Sequence, residues 1–312
     1  MNIAHLRPVL LVSFLVPLVG CPNLTQVQNL SQTVDVGKAA ANVLAGDFIL
    51  SCDRQNLNIN LPPGPPPNPP PAKACTADNR QEFDHLGKNL TTEQGVLFDY
   101  VDALGKLSAA DATGFEKAAP TLGTSFKNTG FDTTQQDMAN AAGTLAGAIT
   151  KLATLGYREK EVADIIQKSQ RPVRTLAQGL ANQIAPDKVP IDTPCSYAPP
   201  AGTPPTYLLE LCNEEQTIHS YYDVPLASET DPGLKIILRG QYQTALDQLA
   251  AREKAALAYR TFMMGIADAH DKLVTASKAG FDKAAVQNLA KQISEPISGI
   301  TESVKSLEKD AR

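Results

Sequence analysis

Apolar or small residues recur over residues 24–50 at Val27, Leu30, Val34, Gly37, Ala41, Leu44 and Phe48, in alternating steps of three and four. That spacing holds one stripe of a helix against a neighbour, so the pattern predicts a helix with an a/d seam packed on another helix. Alanine-, leucine-, glutamine- and lysine-rich stretches predict further helices over residues 91–112, 116–129, 133–155, 158–185, 231–279 and 282–309, and strand-like alternation is scarce. Thr91 and Gln94 have the spacing of a capping box, which places a helix start at Thr91 and leaves His85 before it. Pro172 and Pro296 are expected to kink or split their helices. Residues 206–222 give no decisive pattern.

Two segments interrupt the helical text. Pro62 to Pro71 and Pro199 to Pro205 are rich in proline, which favours extended polyproline II and cannot continue a helix. Cys52 and Cys75 bracket the first, and Cys195 and Cys212 bracket the second. A proline-reading groove would accept such segments; stiff connectors between helices explain them as well.

The chain also repeats itself. Residues 102–119 and 268–285 align at a constant offset of 166, and ten of the eighteen paired positions are identical. Each copy ends in a corner, Gly114-Phe115-Glu116 in one and Gly280-Phe281-Asp282 in the other, and Gly130-Phe131-Asp132 uses the same joint again. Glycine ends one helix in the left-handed conformation and the acid caps the next. Together these features predict an all-α fold: an elongated helical bundle of two related halves, residues 21–155 and 156–312. Each half carries a disulfide-closed proline-rich loop, 53–74 and 196–211, and the halves share one core.

Composition narrows the partners. The 312 residues carry a net charge of -5, without a long basic run, which argues against nucleic acid. Lys168, Arg171 and Arg174 form the one modest basic cluster, and a solvated helix face accounts for it. The absence of tryptophan disfavours glycan stacking.

The amino terminus is more specific. Arg7 precedes an apolar run from Val9 to Leu18, which ends in Val19-Gly20-Cys21, the anatomy of a secretory signal. A cysteine after the small residue resembles the lipobox of bacterial lipoproteins. The resemblance covers residues 1–22 and implies that residues 1–20 are removed, that Cys21 takes a diacylglycerol and that its new amine is acylated. Several acyl chains anchor stably where one binds marginally. Pro22 stands where an aspartate would favour inner-membrane retention in enteric-type sorting, so the resemblance implies a lipid-anchored envelope protein, in the outer membrane where there is one. Removing the signal takes the net charge to -6, because Arg7 is its one charged residue. After it, no stretch approaches the roughly 18–20 apolar residues that span a bilayer.

Four cysteines remain, and export makes two disulfides the natural reading. Three pairings are possible; Cys52–Cys75 and Cys195–Cys212 each close one proline-rich loop, contributing about 3 kcal/mol apiece in the chain-entropy model. A zinc site is the rival, but no CxxC spacing supports it.

Signs of catalysis are sparse. The sequence lacks GxSxG, HExxH, a phosphate-binding glycine loop and GxGxxG. Glu82 and His85 have the E-x-x-H spacing of helical metal sites, without the second motif a di-iron centre needs. No cofactor is expected. His270 falls on the stripe Tyr259, Met263, Ile266, His270, Leu273, which reads as a hydrogen-bonded core histidine; Tyr221 or Tyr222 is near enough in sequence to pair with His219, and a loop packing against the bundle explains that group as well. The expected function is a non-catalytic, lipid-anchored structural or protein-interaction module that meets the membrane through its lipid and another envelope protein through its bundle. The alternative is a small-molecule or lipid carrier with a cavity between the halves, lined by Tyr259, Phe262, Met263 and Met264.

Overall fold

A computed structural model describes residues 24–55, 77–108, 136–155, 159–187, 195 and 206–279. Within them the fold is all-α, with seven helices and no strand. These are α1 (Leu24–Gln55), α2 (Ala77–Ser108), α3 (Gln136–Leu155), α4 (Glu159–Lys168), α5 (Gln170–Ile184), α6 (Tyr207–Ser228) and α7 (Pro232–Ala279).

The seam of α1 does what its spacing predicts where side chains are described: Gly37, Ala41, Leu44 and Phe48 are all buried. Its main neighbour is α2, which carries the complementary stripe Phe83, Gly87, Leu90, Gln94, Leu97, Val101 and Leu104, again in steps of four and three and again buried. The two helices run antiparallel. Phe48 meets Phe83 edge-on at 5.6 Å, Gln94 donates to Asn42 at 2.9 Å, and Lys38 pairs with Asp99 at 2.8 Å.

The helix α2 begins fourteen residues before the predicted start at Thr91, so His85 lies on a helix and Thr91 is internal to it. The Thr91 hydroxyl donates to the Gly87 carbonyl at 2.9 Å, the bond of a mid-helix threonine in place of a cap. The expected 158–185 helix is divided at Ser169 into α4 and α5, with Pro172 in the first turn of α5, where a missing N–H is tolerated. Residues 206–222, indecisive in sequence, fall almost entirely in α6. A sharp turn then opens α7: the Asp231 carboxylate accepts from Gly233 N at 2.7 Å and Leu234 N at 3.0 Å, with Pro232 as first helical residue.

One core cluster draws on all seven helices, from Ala41 in α1 to Val274 in α7. Residues of both halves therefore pack together. The two halves also correspond in depth. At the offset of 166, Phe83, Leu90, Leu97 and Leu104 of α2 match Leu249, Ala256, Met263 and His270 of α7, and all eight are buried. The repeat in burial thus reaches back further than the repeat in sequence, which begins at Asp102 and Asp268. The corners Gly114, Phe115, Glu116 and Gly280, Phe281, Asp282 lie outside the described residues.

Close approach of α1 to α7 rests on Gly37. A Cβ there would come within 2.3 Å of the Phe262 ring, which is itself fully buried and stacked on Phe98 at 6.0 Å. Gly37→Ala is therefore expected to cost about 1–3 kcal/mol through overpacking, against the stabilisation that alanine gives a free helix. Urea unfolding measures this; a midpoint at or above wild type would contradict the packing.

Candidate functional site

The helix directions give the bundle two distinct ends. Gly37 lies against Phe262, while Asp47 lies 3.8 Å from Arg252, so α1 and α7 run antiparallel. The start of α1 at Leu24 therefore lies at one end with the end of α7. The other end gathers the end of α1, the start of α2, the start of α6 and the α6–α7 hairpin.

That second end is clamped by charge. Arg54 donates from Nε to Glu214 at 2.8 Å and from its terminal nitrogens to Asp47 at 2.8 and 3.0 Å. Arg252 adds a 3.3 Å bond to Glu214, and the Tyr207 hydroxyl donates to Asp47. Burial works against the Arg54 charge, but the bonds and charges of Glu214 and Asp47 outweigh it, and the Arg54 pKa is raised. Beside this network the Gln55 amide donates to Glu210 at 2.9 Å. Cys195 and Cys212 form a disulfide at the start of α6, and Cys52, in the last turns of α1, is also disulfide-bonded. Cys75 and Cys21 lie outside the described residues. Described residues that flank both proline-rich segments, Gln55 for the first and Cys195 and Thr206 for the second, thus lie at this end.

Beyond the clamp Ile218 still packs against the core, and past it the hairpin projects from the bundle. The last buried residue of α6 is Glu214 and the first of α7 is Leu249, leaving about 25 Å of two-helix hairpin without a buried residue. Leu234, Ile236 and Ile237 are 51%, 70% and 56% exposed. An open groove of about 630 Å³ runs between the helices, lined by Tyr221, Tyr222, Ile237, Gly240, Ala245 and Gln248 among others. The tyrosines are held together: Tyr221 and Tyr222 centroids lie 4.7 Å apart, and Tyr222 lies 5.4 Å from Tyr242. His219 pairs with Tyr242, its Nδ1 lying 2.7 Å from the hydroxyl, in place of the sequence-adjacent candidates Tyr221 and Tyr222. The true partner is 23 residues away, beyond reach of local pattern. This hairpin is also additional to the repeat. The counterpart of α2 in α7 begins near residue 243, whereas α2 starts directly after its cysteine-bracketed loop.

In the interior the polar groups are ordered by hydrogen bonds. The Tyr100 hydroxyl lies 3.0 Å from His270 Nε2, and burial lowers the His270 pKa to about 4, so the imidazole is a neutral core group. The Tyr259 hydroxyl donates to Gln94 at 3.1 Å. Glu93 is fully buried, with one oxygen accepting from Gln183 at 3.3 Å and the other lacking a hydrogen-bond partner, and burial pushes its pKa up to about 7. Tyr259, Phe262 and Met263, the expected lining of a carrier cavity, are close-packed in the core, and Met264 is partly buried against it.

The E-x-x-H pair gains no support. His85 is exposed on α2, the Glu82 side chain lies outside the described residues, and no group of three or more metal-ligating side chains occurs among the described residues. Lys168 pairs with Asp164 at 2.7 Å, and Arg174 pairs with Asp268 at 2.9 Å and with Asp271, so two of the three cluster cations are matched by acids. No described helix is long and apolar enough to cross a membrane.

The described residues form an all-α bundle with a projecting hairpin that exposes Leu234, Ile236 and Ile237. No protein-family model, curated protein or solved structure matches the chain.

Proposed function

We propose that this chain is a non-catalytic cell-envelope lipoprotein, anchored by lipid on Cys21, whose bundle presents an interaction surface to another envelope protein. The observation that carries this reading is the polarity of the molecule. The helix that follows Cys21 starts at Leu24, at one end, and the hairpin that exposes Leu234, Ile236 and Ile237 projects from the other. An anchor at the first end directs the hairpin and the described residues flanking both proline-rich segments away from the membrane. Exposed apolar side chains are costly to keep in water, and on a two-helix projection they mark a surface made to be covered.

Replacing Cys21 with Ser tests the anchor. The variant is expected to leave the membrane fraction, to retain its uncut signal and to take up no labelled fatty acid. Fatty-acid labelling equal to wild type in that variant would overturn the lipid assignment.

A further inference from the structure

Resting on the reading above, we infer that the α6–α7 hairpin, over residues 215–248, binds a basic amphipathic helix of a partner protein. Three observations converge on that occupant. The first is shape. The groove is open along its length, and its floor includes Gly240, where a Cβ would meet nothing within 4 Å. Ile237 and Ala245 on α7 and Tyr221 on α6 line it beside Gln241, Thr244 and Gln248, a mixed bed between two helices that suits the apolar and polar edges of an amphipathic helix.

The second is charge. The hairpin carries five carboxylates, Glu215, Asp223, Glu229, Asp231 and Asp247, against the two cations Lys235 and Arg239. After burial, the charges of Asp223 and Glu215 are what push the Tyr242 hydroxyl's pKa up, so their negative field is felt at the tyrosine cluster. Tyrosine faces in a negative field attract Lys and Arg heads through the ring quadrupole. A second copy of the chain would bring two acidic hairpins together, and an anionic lipid surface would be repelled in the same way. A basic amphipathic helix matches both the exposed apolar side chains and the net negative charge of the hairpin.

The third is its place in the repeat. Among the described residues nothing in the first half corresponds to residues 215–242: α2 starts soon after Cys75, whereas the matched part of α7 lies 31 residues beyond Cys212. The hairpin adds little to the bundle core: no residue between Glu214 and Leu249 is buried, and Ile218 packs half-buried against it. A segment so marginal to the core, and exposing Ile236 and Ile237, is accounted for by binding.

The test uses the purified full-length chain and two fluorescein-labelled 18-residue helical peptides, one of Leu and Lys and one of Leu and Glu, followed by fluorescence anisotropy. The Leu/Lys peptide is expected to bind at least about tenfold more tightly than the Leu/Glu peptide. Binding is expected to weaken about tenfold in the exposed double variant Ile236→Ser/Ile237→Ser, and again in Asp223→Lys/Asp247→Lys. Circular dichroism and unfolding midpoints establish that both variants fold. Equal binding of the two peptides, or binding unchanged in both variants, overturns the inference. So does sedimentation showing a dimer that the Ile variant abolishes, or flotation with phosphatidylglycerol vesicles that the same variant abolishes. In-cell crosslinking separates the levels: a specific partner captured equally by wild type and the Ile variant leaves the function standing and removes the hairpin as its surface.

Discussion

Glu93→Gln is expected to stabilise the protein by about 2 to 3 kcal/mol at pH 8 and to change little at pH 4.5. Glu93 sits where α2 meets α3, α5 and α7. The Gln183 amide reaches one oxygen from α5 and also contacts the Met138 sulfur of α3, and the Tyr259 phenol is the titratable group facing it from α7. Among the described residues no cation neutralises it there, so burial keeps the proton on and the carboxyl titrates near pH 7, against 4.5 ordinarily. The folded state therefore binds a proton that the unfolded chain releases near pH 4.5. The stability this contributes is fully present below pH 4.5, falls as the pH rises towards 7, and is absent above. The difference between wild type and variant isolates Glu93 from the other titrating groups. Urea unfolding from pH 4.5 to 8 reads it. A pH-independent difference would mean that Glu93 is ionised throughout.

Arg54→Ala is expected to cost about 3 kcal/mol, near the lower end for a broken buried pair because the guanidinium is 22% exposed. It leaves Glu214, whose side chain is 3% exposed, with Arg252 alone, and deprives Asp47 of a two-pronged partner. Arg54→Lys is expected to recover only part of this, since an ammonium cannot fork to both carboxylates. Arg54→Met/Glu214→Met is expected to be more stable than Arg54→Ala alone, because neither charge is stranded. Because the network ties α1 to the base of the α6–α7 hairpin, hydrogen exchange in residues 207–214 should rise in Arg54→Ala. Unfolding free energies within about 0.5 kcal/mol of wild type would show the network to be marginal.

These two positions also mark what the sequence could and could not say. The seam of α1 was readable because its residues are apolar or small at every step from Val27 to Phe48. The matching stripe of α2 was readable in principle back to Phe83, but Thr91-x-x-Gln94 mimics a helix start and drew the boundary fourteen residues too late. Glu93 was hidden by the same motif: it falls at the seven-residue interval of Leu86 and Tyr100, yet an acid near a cap reads as a surface residue. The division at Ser169 followed from Pro172, whose missing N–H and ring geometry act locally. The helix α6 was obscured by Pro225 and by polar residues on most of its faces, because much of it packs only on α7. The Arg54–Glu214 and His219–Tyr242 pairs depend on chain direction and depth in the bundle, which no local pattern encodes. The correspondence of α2 with α7 was half visible, in the identities from Asp102 and Asp268 onward, and completed by burial upstream of them.

The central claim is that a bundle tethered at one end recognises a protein at the other. The most direct measurement is in-cell crosslinking of the lipidated, tagged chain, with mass spectrometry of the linked peptides. The expected result is one dominant envelope protein, joined through residues near the far end such as Lys235 on the hairpin. Crosslinks scattered over many proteins, or a purified bundle that carries a stoichiometric lipid or small molecule and no protein partner, would contradict it.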